Sequence, residues 1–235
     1  METIDVKLRG RHKRAFRHRG TRADQGVVAQ IFKAQDYGFG RLRRGPELQG
    51  VYDAIVGSGR SPLVLDAGAN IGASVVYFAL AFPQAHIVAL EPAADNFELL
   101  EANASGLDVD ARRAAIGSTP GVTTLVDPGE GAWGYRTVAG AEGERVPVLG
   151  ASALVAEKLA QGYEPFVAKI DIEGGEAELF SRDTDWVERF PLLIIELHDW
   201  LLPRGRTSHA FLRCIAALDR DFVQLGENVF SIANE

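Results

Sequence analysis

The sequence predicts an α/β fold, a doubly wound sheet of mostly parallel strands covered on both faces. Three observations carry this. Apolar runs at 63–65, 87–90, 166–170 and 192–195 are nearly continuous and are separated by helical patterns, as buried parallel strands require. A glycine-bearing turn, 66–72, follows the first run directly. Polar residues collect just after the runs, where a sheet of this kind binds its ligands.

The elements follow in order. Residues 1–22 read as extended or poorly ordered, and 23–60 as helical, with Asp24 capping a helix over 25–32 and a second helix over 47–56. From Ser61 strands and helices alternate. A strand at 62–67 leads to a helix at 72–82, which Pro83 ends because proline lacks the donor a helix needs. A strand at 86–91 precedes a helix at 92–103, whose apolar side is Phe97, Leu99 and Leu100; a third strand is placed at 112–116. Residues 117–150 are glycine-rich, with short antiparallel strands at 122–126 and 145–149. A helix at 152–161 ends on Gly162, a residue suited to the left-handed cap. Then come a strand at 166–172, a helix from Glu176 to Phe180, a strand at 192–198 and a helix at 206–219. A hairpin of 222–225 and 229–232 closes the chain, adding antiparallel pairing at one edge. The organisation is a basic and helical N-terminal extension, 1–60, and a main domain, 61–235.

Composition narrows the class. The 235 residues are 46% apolar and 24% charged, ordinary for a globular protein. No run approaches the ~18 apolar residues of a membrane span, and no apolar leader is visible. The single cysteine, Cys214, excludes an internal disulfide or a cysteine metal cluster, so a cytoplasmic setting is expected. The net charge of -7 hides a basic N-terminal segment: Lys7, Arg9, Arg11, Lys13, Arg14, Arg17, Arg19 and Arg22. This segment reads as solvated, or as packed on the acidic body of its own or a neighbouring copy. Nucleic acid is not the expected partner, because no aromatics interleave at stacking spacing.

The turn after the first strand identifies the ligand class. A dinucleotide fingerprint wants glycine at three places, which fall here on Gly68, Asn70 and Ala73. Asparagine at the second place opposes the close approach of a pyrophosphate. A ligand without one, such as S-adenosylmethionine, suits Gly68-Ala-Asn70-Ile-Gly72 better. Glu91, at the end of the second strand, has the position and chemistry to accept bonds from both ribose hydroxyls. Farther along, Asp171, Glu173, Glu196 and His198 follow two more strands. His198, with an ordinary pKa near neutrality, is the candidate proton acceptor. The carboxylates of Asp171, Glu173 and Glu196 form a candidate site for Mg2+. Lys169, alternating with apolar residues in a buried strand, is expected to pair with an acid. Trp133, Tyr135 and Trp200 are candidate substrate-pocket aromatics.

Asp66-Ala-Gly-Ala-Asn-Ile-Gly72, Leu90-Glu-Pro-Ala-Ala-Asp-Asn-Phe-Glu-Leu-Leu100 with Asn103, Ala115-Ile-Gly117, Val146-Pro-Val148, Lys169-Ile-Asp-Ile-Glu-Gly174 with Glu176, and Ile194-Ile-Glu-Leu-His198 occur in one order. In this the chain resembles the FkbM family of S-adenosylmethionine-dependent methyltransferases, over about 61–200. The resemblance implies a Rossmann-like sheet of seven strands with one antiparallel edge strand, and O-methylation of a hydroxyl on a sugar, polyketide or other small metabolite. It implies that Gly68, Asn70 and Gly72 line the methionine end of the cofactor, and that Asp66 steadies the turn or reaches the cofactor ammonium. Glu91 would take the ribose, with Asn96 near it or capping its helix. Ala115 and Ile116 would flank the adenine, and Asp171 would stand beside the sulfonium. His198, Asp171 and Glu196 would serve catalysis. The helical extension is a candidate surface for a homo-oligomer. Two other readings compete: a non-catalytic module that keeps the cofactor fold, and a nucleic-acid methyltransferase. The second is disfavoured because Asp171-Ile-Glu-Gly stands where base methylation commonly uses Asn/Asp-Pro-Pro-aromatic.

Overall fold

The structure, a computed structural model, describes residues 1–8, 13–126, 136–138 and 143–234. The main sheet runs through β3 (Ser61–Ala67), β4 (His86–Leu90), β5 (Val109–Arg112), β10 (Tyr163–Ile170), β11 (Leu192–Glu196), β12 (Arg220–Leu225) and β13 (Asn228–Ala233). Its order is β12-β13-β11-β10-β3-β4-β5. β11, β10, β3, β4 and β5 pair in parallel, while β13 is antiparallel to both of its neighbours. The expected single antiparallel strand is thus β13, and it stands second from the edge.

The continuous apolar runs are resolved by the two-residue period of a strand, which sends alternate side chains to opposite faces. Val64, Ile87, Ala89, Val167 and Ile194 enter one core. Leu63, Leu65, Val88, Leu90, Ala168, Ile170, Leu193 and Ile195 enter the other. Phe166 joins Val167 in the first core because the register shifts between Pro165 and Val167, as a bulge does. Helices α2 (Gly45–Gly57), α3 (Ala73–Ala81) and α4 (Ala94–Ala104) supply the first layer. Helices α5 (Ala151–Ala160), α6 (Glu176–Leu179) and α7 (His209–Ala216) supply the second. Ala73 to Phe78 are buried without a break, so α3 is covered on its outer side as well. The cover is the N-terminal part, whose Phe16, Ile31, Phe32 and Tyr37 belong to the same core.

That part differs from expectation. Residues 1–22 are not a loose tail, because β1 (Glu2–Val6) and β2 (Arg14–His18) form an antiparallel ladder. The extension therefore carries strands as well as α1 (Arg22–Val28), a π-helical stretch at Ala29–Ala34 and α2. Asp24 is not the cap of α1; Thr21 is, its side chain accepting from the Asp24 amide at 3.2 Å. Asp24 instead accepts from Arg19 at 2.6 and 2.8 Å. Burial pushes its pKa up, but the Arg19 bonds outweigh burial and leave it lowered. Arg19 also reaches Asp95, and Arg14 donates to the Asn103 carbonyl. The basic segment therefore packs on its own body at these residues. Arg9 and Arg11 lie outside the described residues.

The third strand was placed too late. β5 is Val109–Arg112, while β6 (Ala115–Gly117) leaves the main sheet and pairs with β9 (Glu144–Gly150) in a second, four-stranded sheet with β7 (Gly121–Val126) and β8 (Arg136–Val138). β5 holds an ion-pair cluster in which Asp110 takes Arg112 at 2.7 Å and Lys158 at 2.6 Å. The Arg112 bonds, followed by Lys158 and opposed by burial, hold the Asp110 carboxyl down at about 2. Its stabilisation is full above the ordinary carboxylate pKa and is lost as pH falls toward 2. Asp110→Asn should cost about 1 kcal/mol at neutral pH, allowing for solvent screening. Urea unfolding should show the gap between variant and parent closing as the pH is lowered to about 2.5. Among the described residues no helix is long and apolar enough to cross a membrane.

Candidate functional site

Sheet order makes neighbours of the strand ends that the sequence singled out. β11, β10, β3 and β4 are adjacent, so Glu196, Asp171, the 68–72 turn and Glu91 form one row. The chain leaves β3 toward β4 and β5 and returns on its other side at β10, so the β3/β10 junction is the switch point of the sheet.

The turn is built by backbone constraints. Gly68 has φ +79, and a Cβ there would lie 1.7 Å from the Asp171 carbonyl oxygen. Gly72 has φ +85, and a Cβ would meet Leu100 of α4 at 3.0 Å. The two glycines thus let the turn close against β10 and let α3 close against α4. Asn70, at φ +49, is a left-handed residue of the kind asparagine tolerates. Its side-chain oxygen accepts from the Ile71 amide at 2.7 Å. Beneath the turn, the fully buried Lys169 donates to the Gly68 carbonyl at 2.7 Å and pairs with Asp66 at 3.2 Å. Burial opposes its charge, but Asp66, Tyr37 and Asp171 outweigh burial and raise its pKa. Lys169 is paired as expected. Asp66 is fully buried against it.

Glu91 is buried beside the turn. It accepts from the Asn70 amide at 2.8 Å and from the Ala93 amide at 2.9 Å. Burial pushes its pKa up to about 7, against those amides, Lys169 and Asn96. Asn96 is not a cap: it hydrogen-bonds Glu91 and accepts from Arg19 at 2.9 Å. Arg19, read from the sequence only as part of a basic tail, therefore buttresses Glu91 through Asn96. Asn103 ties the same turn to β2, donating to the Ile71 and Arg17 carbonyls at 2.8 and 2.9 Å.

The far strand ends converge on His198, which is completely buried. Its Nδ1 lies 2.8 Å from Glu176, itself completely buried. Its Nε2 lies 3.5 Å from Asp171, 3.5 Å from Glu173 and 3.7 Å from Glu196. Burial disfavours an imidazolium, but Glu176 and the surrounding acids outweigh it and raise the pKa to about 9. The acids around the ring thus favour its protonated form. It is not the free base that an unperturbed imidazole would be. The Glu196 pKa is raised, by burial and then by the Asp171 charge. Glu176, 22 residues from His198 in sequence, had no assigned role; its signal was its place two residues after the Lys169–Gly174 block.

A cavity of about 560 Å³ opens over this row, lined by Asn70, Asp171, Glu173, Glu196, Trp200 and Glu227 on one side. Arg22, Ala23, Gly26, Val27 and Gln30 form the other side, a wall the sequence did not reveal. Trp200 is 61% exposed there. Ala115 and Ile116 line a different cavity of about 360 Å³, with Gly174 and Gly175. Trp133 and Tyr135 lie outside the described residues.

Solved structures of similar fold include an O-methyltransferase from Bacillus cereus in complex with SAH. It is 12% identical, with a TM-score of 0.46 over 89% of this chain and 91% of that one. A methyltransferase from Geobacter sulfurreducens is 15% identical, with a TM-score of 0.44 over 93% of this chain and 92% of that one. No curated protein matches the sequence. The Methyltransferase FkbM domain matches residues 66–222, from the acid that opens the turn to the last strands of the sheet. The chain belongs to the FkbM methyltransferase family.

Proposed function

We propose that the chain is an S-adenosylmethionine-dependent O-methyltransferase acting on a hydroxyl of a sugar, polyketide or similar small metabolite. The observation that carries this is the Asn70 turn, clamped to the buried Glu91 carboxylate and opening on a cavity lined by Asp171, Glu173, Glu196 and Glu227. The residues fit the cofactor. Each Glu91 oxygen takes one backbone amide, leaving acceptor capacity for a pair of hydroxyls. The acids around the cavity favour a cationic ligand. Glu91, steadied by Asn96, would hold the ribose, and Asn70 with the backbone at Gly68 and Gly72 the methionine end. Asp171 would face the positive sulfur, whereas Ala115 and Ile116, expected from the sequence at the adenine, line the separate cavity and are given no part in this reading.

When bound, the cofactor supplies an electrophilic methyl group. The chain must then align an acceptor oxygen and draw off its proton. Asp171 and Glu196 line the cavity and supply carboxylate oxygens for that proton. His198 and Glu176 hold these acids from beneath.

Glu91 gives the reading a pH signature. Hydroxyl donors favour the ionised carboxylate, whose pKa stands at about 7. Cofactor affinity should therefore weaken below pH 7, by up to about tenfold per pH unit. Calorimetry from about pH 5.5 to about pH 8.5 reads this directly. Glu91→Gln should bind weakly and show a flat profile. Full affinity in that variant would remove the ribose role.

A further inference from the structure

We propose that Asp171, Glu196 and the Nε2 of His198, with Glu173 beside them, form a binding site for a divalent first-row transition ion of the manganese class, in preference to Mg2+. The acids alone would not establish a site; the histidine does. His198 is completely buried, and among the described residues its Nε2 has no hydrogen-bond partner. Its other nitrogen is held at 2.8 Å by the buried Glu176, the carboxylate–histidine arrangement that orients a metal-binding imidazole. The ring is thereby turned so that Nε2 faces three carboxylates.

The spacing suits an ion. Two ligands bonded to one ion at about 2.0–2.2 Å stand about 3–3.6 Å apart. Nε2 lies 3.5, 3.5 and 3.7 Å from oxygens of Asp171, Glu173 and Glu196. One ligand atom each from Asp171, Glu196 and His198 lie within 4.8 Å of one another. The three distances from Nε2 are long for hydrogen bonds and close to those between two ligands of one ion. An ion bound here would take the place of the Nε2 proton, as metal binding to an imidazole does.

Access and selectivity follow from the same residues. Asp171, Glu173 and Glu196 line the 560 Å³ cavity, so an ion there has a path in and a side left open. One imidazole among carboxylates favours a borderline ion over Mg2+, which prefers oxygen ligands and keeps its waters. An acceptor hydroxyl bonded through the open side would lose its proton more readily. That use rests on the methyl-transfer reading, whereas binding of the ion does not.

The test uses the full chain, stripped with chelator and free of cofactor. Calorimetry and the paramagnetic resonance signal of Mn2+ should show one bound ion per chain, with Mg2+ at least about tenfold weaker. Glu196→Gln should abolish binding, Glu173→Gln should weaken it, and Glu176→Gln should weaken it about 10- to 100-fold. Melting curves identify any variant that is not folded, and Glu173 lies at the cavity, where substitution disturbs the core least. No Mn2+ binding up to about 1 mM overturns the proposal. So does binding unchanged in both carboxylate variants, or Mg2+ binding as tightly as Mn2+. Cofactor calorimetry on the same metal-free protein keeps failure of the cofactor reading separate.

Discussion

Gly68→Ala should destabilise the protein by more than about 3 kcal/mol and abolish cofactor binding. Two costs combine. At φ +79 any L side chain is strained, which costs about 1 kcal/mol for alanine. The new Cβ would also stand 1.7 Å from the Asp171 carbonyl oxygen and 2.8 Å from its carbon. Backbone rather than a flexible side chain is in the way, so β3 and β10 must separate. Gly59 supplies the control: it has the same φ of +79, but a Cβ there meets nothing within 4 Å. Gly59→Ala should cost about 1 kcal/mol, the conformational part alone. Urea unfolding of the two variants separates the terms. Equal losses would show that the turn yields without harm and that Gly68 is not needed for close approach.

Lys169→Met should be comparably severe, about 3–5 kcal/mol, because it leaves Asp66 buried without its partner. The ammonium is held by Asp66 at 3.2 Å, the Gly68 carbonyl at 2.7 Å and Asp171 at 3.7 Å, with the Tyr37 ring 5.8 Å away. Methionine keeps the volume and removes the charge, so the loss reports electrostatics. Asp66→Asn in the same chain should restore most of the stability, since the uncompensated carboxylate is then gone. A double-mutant cycle by chemical denaturation measures the coupling. Additive losses would mean that Lys169 acts only through the turn carbonyls.

The strands around the switch point were legible because each lies between two helical layers and is apolar on both faces. Val64 and Leu65 enter different cores, yet both must be apolar. β5 was misplaced for the converse reason. Val109, Asp110, Ala111 and Arg112 are all only half-buried, so the pattern is weak, and the more apolar Ala115–Gly117 drew the assignment. The β1–β2 ladder was hidden because charged residues, Glu2 and Asp5 in β1 and Arg14 and Arg17 in β2, mask its alternation. Phe16 is completely buried while its neighbours Ala15 and Arg17 face outward. Chemical identity at the strand ends was legible from residue type and position. The protonation state of His198 was not, because it depends on complete burial and on Glu176, which only folding brings near.

The wall of the cavity formed by Arg22, Ala23, Gly26, Val27 and Gln30 lies outside the 66–222 span shared with the family. The two sides of the cavity are thus free to diverge independently. Changes at the strand ends strike the acids of the cavity and the His198–Glu176 pair together. Changes in α1 reshape the space opposite without touching them. Substitution at Arg22, Val27 or Gln30, which line the cavity without belonging to the strand ends, is the direct way to alter the shape of that space.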